Sequence, residues 1–552
     1  MDKNAILKIS ICNGAHLAIT TLLENWDALI DLELEPKDIV SIASHGGATQ
    51  AITTLLNKWD DLRDKGLEPK DIVSIASNNG ATQAIATLLA KWDSLIAKGL
   101  QPKDIVSIAS HGGATQAITT LLNRWGDLRA KELEPKDIVS IASHDGATQA
   151  ITTLLEKWDE LRAKGLEPKD IVSIASHIGA NQTITTLLNK WGALIDLELE
   201  PKDIVSIASH GGANKAITTL LEKWAALRAK ELEPKDIVSI ASHNGATQAI
   251  TTLLEKWGDL RAKELEPKDI VSIASNTGAN KTITRLLEKW GDLRAKELEP
   301  KDIVSIASHD GSNQTITKLL EKWDELRAKG LEPKDIVSIA SHIGANQTIT
   351  TLLNKWGALI DLELEPKDIV SIASHIGATQ AITTLLNKWA ALRAKGLDPK
   401  DIVSIASHDG SNQTITKLLE KWDELRAKEL ESKDIVSIAS NNGATQTITR
   451  LLEKWDELRA KGLDPKDIVS IASHGGATQA ITTLLNRWGD LIDLELEPKD
   501  IVSIASHKGA NQVITTLLEK WDDLISQGYT KSSIVSIAST QNGVLGLLEA
   551  LG

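Results

Sequence analysis

Along residues 34–66, LEPKDIVSIASHGGATQAITTLLNKWDDLRDKG, the apolar positions fall into two stripes of helical spacing separated by a polar break. Ile39, Val40, Ile42 and Ala43 give a short apolar face. Pro36 stands at what would be the first turn of that helix, where its missing N–H is no loss. His45-Gly46-Gly47 interrupts the periodicity and predicts a turn. Ala51, Ile52, Leu55, Leu56, Trp59 and Leu62 then recur three and four residues apart, which predicts a second helix from about Ala48 to Lys65. Gly66 is suited to end it in a left-handed conformation, although several later copies of the pattern carry Glu there.

The whole pattern returns every 33 residues. Fifteen units run without a break over residues 34–528, preceded by a degenerate copy (1–33) and followed by a truncated one (529–552). All 16 Trp fall at one offset, from Trp26 to Trp521, and all 14 Pro at another, from Pro36 to Pro498, with Ser432 replacing one. Neither helix can bury its stripe alone, whereas stacking on neighbouring copies buries both. The fold class is therefore all-α: an α-solenoid of two-helix repeats with atypical end caps. Trp on the apolar stripe is assigned to the core rather than to a ligand-stacking ladder.

Comparison of the fifteen units with one another singles out one slot. Most offsets hold one residue or a few similar ones, but the thirteenth reads, in order, Gly46, Asn79, Gly112, Asp145, Ile178, Gly211, Asn244, Thr277, Asp310, Ile343, Ile376, Asp409, Asn442, Gly475 and Lys508. No core position accepts both Asp and Lys, and no merely solvated position favours Ile three times. The slot before it is His in twelve units (His45, His111, His144, His177, His210, His243, His309, His342, His375, His408, His474, His507) and Asn in three (Asn78, Asn276, Asn441). Variation held to one residue in a fixed frame marks a reader that meets a different ligand feature at each unit.

The frame LEPKDIVSIASHGGATQ, with a variable pair after Ala-Ser, resembles the transcription activator-like effector repeat, in particular its divergent bacterial relatives. The resemblance covers nearly the whole chain and recurs fifteen times. It implies that each unit reads one base in the major groove of double-stranded DNA through the second residue of the pair, while the first braces the loop by bonding back to backbone. Base-edge chemistry agrees: Asp accepts from the cytosine amino group, Asn and Lys reach purine acceptors, apolar groups meet base faces and methyls, and Gly leaves room for the thymine methyl. With the family pairing of Gly with T, Asp with C, Ile with A and Asn with G or less strictly A, the fifteen units spell 5′-TGTCATG?CAACGTG-3′. Thr277 is unassigned, and Lys508 is placed opposite G on base-edge chemistry alone. The family's long amino-terminal DNA-binding region is reduced to one odd copy with Cys12-Asn13 in the pair slots, and no activation segment or nuclear import signal is recognisable. The family's Pro late in the second helix is replaced by Asp60, which predicts a straighter helix.

Geometry permits one unit per base. If neighbouring inner helices stand ~9.5 Å apart and climb ~3.4 Å per unit, about 10.5 units per turn give a radius of roughly 15 Å. That is about a duplex radius plus half a helix diameter, so a right-handed superhelical array would wrap B-DNA with its loops inward. Net charge is 61 − 75 = −14, which opposes a nucleic-acid partner. Placement weakens the objection: between Ser44 and Gln50 and in the copies of that stretch, the acids are the readers Asp145, Asp310 and Asp409. Phosphates are assigned to the N–H groups at the start of each second helix, near Gly47 and Ala48, with Gln50 and its copies adding side-chain bonds and Lys215 and Lys281 adding charge. Where the plant-pathogen repeats carry Lys after the Gly pair, this chain has Thr or Asn, so weaker and less salt-sensitive binding per unit is expected.

Other functions fit less well. Ser143-His144-Asp145 holds the residue types of a catalytic triad, but adjacent side chains diverge and the next unit has Ile178 in place of the acid. One His per loop cannot supply the ligands of one metal ion, and a lone Cys12 excludes an internal disulfide framework and Cys-based zinc sites. No enzyme activity, cofactor or small-molecule substrate is expected. Signal-peptide, membrane-spanning and lipidation patterns are lacking, so a monomeric intracellular protein is expected, in a bacterial cytoplasm or a host nucleus. The principal alternative is a protein- or peptide-binding helical scaffold, in which variation usually spreads over several surface offsets.

Overall fold

The structure, a computed structural model, describes residues 15–540 and 542–550. Cys12 and Asn13 lie outside the described residues. Those residues form 34 helices and no strand. The chain divides into two compact units, Met1–Ile283 and Thr284–Gly552. Each is an α-solenoid that alternates a short and a long helix every 33 residues, as Pro36–Ala43 with Ala48–Arg63 in the first and Pro333–Ala340 with Ala345–Ile360 in the second. Among the described residues no helix is long and apolar enough to cross a membrane.

The short helix starts at Pro, and the residue before it has extended backbone whose N–H donates to the Asp three positions on, as Glu68 N to Asp71 Oδ2 at 3.0 Å. Two units with Asp at the cap close the exchange in both directions, Asp401 N also donating to Asp398 Oδ1 at 2.8 Å. Ser432 starts a helix of the same length without Pro, so the Glu431–Asp434 cap suffices.

Both stripes are buried, with two adjustments. Ile39, Ile42, Ala43, Ala51, Ile52, Leu55 and Leu62 are inaccessible or nearly so, and Trp59 is 7% exposed, which makes Trp core. Leu56 and Val40 are half-buried at the stripe edges. Leu67, in the linker to the next unit, is fully buried, and such a residue contributes about 1.5–3 kcal/mol. The Arg63 guanidinium donates to the Leu67 carbonyl at 2.6 Å and holds that linker in place.

The long helix ends at Arg63, two residues before the expected Lys65, because the chain tightens there: Lys65 N bonds Leu62 O and Gly66 N bonds Arg63 O. Gly66 then takes φ +80°. Nine Glu residues stand in the same left-handed conformation at this offset, from Glu33 (φ +63°) to Glu495 (φ +59°). The long helices run unbroken past the Asp60 offset; in the leading copy Asn25 separates Ala15–Glu24 from Trp26–Asp31.

Candidate nucleic-acid interface

Each inter-helix turn is fixed by its own sequence. The short helix stops at Ser, whose hydroxyl in many units bonds back four residues, as Ser143 Oγ to Val139 O at 2.7 Å. The Gly after the reader swings into the left-handed region, φ +84° at Gly179, and opens the long helix. Such an angle strains any residue with a Cβ. Gly113 is the exception at φ −105°, and its N–H turns onto His111 Nδ1 at 3.2 Å.

The residue before the reader braces the loop, but His and Asn do so differently. Asn78, Asn276 and Asn441 bond back within their own short helix, Asn78 Nδ2 donating to Ser74 O at 2.7 Å. His instead reaches forward: His45 Nε2 donates to Ala76 O, 31 residues on in the next repeat, at 2.9 Å. The same bond recurs at His144, His177, His210, His243 and others at 2.9–3.1 Å. His thus meets backbone, as the resemblance implied, but the carbonyl at Nε2 belongs to the next repeat and ties consecutive repeats together. The partner lies a whole repeat away, so no local pattern reveals it. In most units Nδ1 also faces a carbonyl, that of the following residue, as His45 Nδ1 to Gly46 O at 3.0 Å, so a neutral ring can donate to only one of the two. Burial holds the His177 ring below its ordinary pKa of 6.5, outweighing the Ile178 and Ala208 carbonyls that favour protonation. His111 and His375 are lowered for the same first reason, with Asp145 and Asp409 opposing it.

None of the fifteen variable residues is buried. Gly211, Asp310, Asp409 and Gly475 are half-buried and the rest exposed. Ile178 is 61% exposed, and Ile343 and Ile376 are each 48% exposed. Three aliphatic side chains thus stand exposed at the tips of ordered turns.

Of the phosphate-binding groups expected, Gln50, Lys215 and Lys281 are exposed on the first turn of their long helices. Ala48 is not available: it is 2% exposed and its N–H already donates to His45 O at 3.2 Å. That internal bond, repeated at Ala147 and Ala180, leaves the Gly47 and Thr49 amides as the donors at the helix start. Acids gather elsewhere. Lys58 pairs with Asp61 at 2.9 Å late in the long helix, Lys131 of one repeat with Asp159 of the next at 2.9 Å, and Lys70 with Glu68 at 2.7 Å beside the short-helix cap. Lys70 holds the Glu68 carboxyl below its usual range by hydrogen bond and charge. Within each unit the loop rows are therefore nearly free of acids other than the readers. No family model matches the chain, and no curated protein matches it.

Proposed function

We propose that this protein is a sequence-specific double-stranded DNA-binding protein related to the transcription activator-like effector repeats. One repeat meets one base in the major groove, and the thirteenth residue does the reading. The observation that carries this is the exposed residue that varies from Ile to Asp to Lys on a loop whose other positions hold one residue or two similar ones. A surface under no constraint would vary at its neighbours too.

On this reading the division of labour is simple. His and Asn keep the loop rigid, so a reader loses little freedom on binding. The first-turn amides of the long helix and the side chains at the Gln50 offset take the phosphates, favoured by the helix dipole. Specificity comes from the reader: carboxylate to the cytosine amino group, amide to purine acceptors, Ile against adenine, Gly to admit the thymine methyl. Successive repeats meet successive bases, and the site is 5′-TGTCATG?CAACGTG-3′.

Fluorescence anisotropy with a duplex carrying TGTCATGACAACGTG, against a shuffled duplex of equal composition, tests this across a salt series. Tighter binding to the intended duplex is expected, with single mismatches costing about 1–3 kcal/mol each. Equal, steeply salt-dependent binding to both duplexes would reduce the protein to a backbone binder, and no binding at low salt would point to a protein partner.

A further inference from the structure

Three pairs of consecutive readers are joined by hydrogen bonds. The Gly112 N–H donates to Asp145 Oδ1 at 2.9 Å, across 33 residues. Ile376 N–H donates to Asp409 Oδ1 at 3.0 Å, and Asp409 N–H to Asn442 Oδ1 at 3.2 Å. In each case the side chain of one reader reaches back to the backbone of the reader before it. The same oxygen lies against the preceding bracing ring, His111 Nδ1 at 3.5 Å from Asp145 Oδ1. Where the earlier reader is Gly the approach is close: a Cβ on Gly211 would lie 3.1 Å from Asn244 Oδ1, and one on Gly46 would lie 3.4 Å from Asn79 Oδ1. Gly or Ile in the later repeat offers no such oxygen, as with Gly211 after Ile178 and Ile376 after Ile343.

We propose that a reader bearing a short acceptor is also the positioning residue of the preceding repeat, so that base discrimination at one position depends on the residue in the next repeat. The proposal rests on the DNA-binding reading above. Its chemistry follows from what each bond leaves over. A carboxylate has only acceptors, so Asp409, with Oδ1 on Ile376 N–H, keeps a second oxygen for the cytosine amino group. An amide held through its oxygen keeps only donors, so Asn442 presents Nδ2–H to purine acceptors. In the same stroke the backbone of the earlier reader is pinned, and Ile376 is held where its side chain projects. Ile343 has the same side chain and no such pin, so the two read the same base with different strictness.

Two substitutions separate the pin from the reader's own base contact: Asp409→Asn keeps Oδ1, and Asp409→Gly removes it. In the full-length protein without DNA, exchange of the Ile376 amide, followed by NMR with isoleucine-selective labelling and assigned through Ile376→Val, should quicken several-fold in Asp409→Gly and stay near wild type in Asp409→Asn. With DNA, the base opposite residue 409 is matched to each variant, and the A-over-G preference opposite Ile376 is measured. That preference should fall about threefold or more in Asp409→Gly and persist in Asp409→Asn. The preference opposite Ile343, two repeats from the change, should hold in both. Unchanged amide exchange, or equal preference opposite Ile376 in all three proteins, would overturn the proposal. Failure of the wild type to prefer the intended duplex would instead sink the DNA-binding reading, while the amide exchange still decides whether the pin exists.

Discussion

At the scale of single residues, the bracing position joins stability to loop order. A His that donates to the next repeat must be neutral at Nδ1 or bring a charge into a partly buried site. Burial lowers the pKa of His111, His177 and His375 below 6.5, so these rings resist protonation when folded. The unfolded chain has no such resistance and binds more protons between the folded-state pKa and 6.5. Stability from these residues is then complete above about pH 6.5 and is lost as pH falls through that window. Carboxylates such as Glu68 and Glu299, held below 4.5 by Lys70 and Lys301, lose their contribution only at lower pH, so the two effects separate. The thermal midpoint followed by circular dichroism should drop between pH 7.5 and 5.5. It should drop less in a variant with His111→Asn, His177→Asn and His375→Asn, which places in those slots the residue that Asn78 and Asn441 already supply. Equal slopes for the two proteins would remove the His rings from the account.

At the scale of helices and turns, the terminator offset shows local strain spread over many copies. Gly costs nothing at φ near +80°, whereas a residue with a Cβ in that conformation costs about 1–2 kcal/mol. Glu264 sits at φ +64° where Gly330 sits at +82°. Glu264→Gly should therefore stabilise its repeat by about 1 kcal/mol, less the greater freedom that Gly gives the unfolded chain. Native-state hydrogen exchange of the neighbouring amides would register it as slower local opening, and faster exchange would mean that the Glu side chain stabilises the turn in a way its backbone angle hides. The same offset shows how far sequence carries. The helix pair, the repeat length, the Trp core and the turn at His45-Gly46-Gly47 were all legible, because each is a local signal repeated fifteen times. The exposure of the thirteenth residue followed from the variation at that slot. Contacts between repeats were not legible: the His45 to Ala76 bond and the Asp409 to Ile376 bond join residues 31 and 33 apart that no periodicity links. Nor was the engagement of the Ala48 amide, which depends on how tightly the turn closes.

At the scale of the whole molecule, the question is how a chain of net charge −14 would hold a polyanion. Charge is not spread evenly. Paired acids and bases occupy the short-helix caps and the late long helices, and the first turns of the long helices carry mostly Thr, Asn and Gln. Neutral amides and a helix dipole contact phosphate without adding a fixed cation, so they displace fewer condensed counterions than Lys or Arg. Salt dependence should then be shallow for a fifteen-base footprint and should come disproportionately from Lys215 and Lys281, which stand where other repeats have Gln. Each phosphate neutralised contributes about 0.9 to the slope of log K against log salt on B-DNA. Replacing both by the residue of their neighbours, Lys215→Gln and Lys281→Gln, should flatten the slope by about 1.8, or two phosphates' worth. Affinity should fall alike for intended and mismatched duplexes, since phosphate contacts carry no sequence information. Anisotropy titrations from low to physiological salt would measure both quantities. A slope unchanged by the double substitution would place the two lysines away from the backbone of the duplex. A loss confined to the intended duplex would place them at base edges, and the assignment of reading to the thirteenth residue alone would have to be given up.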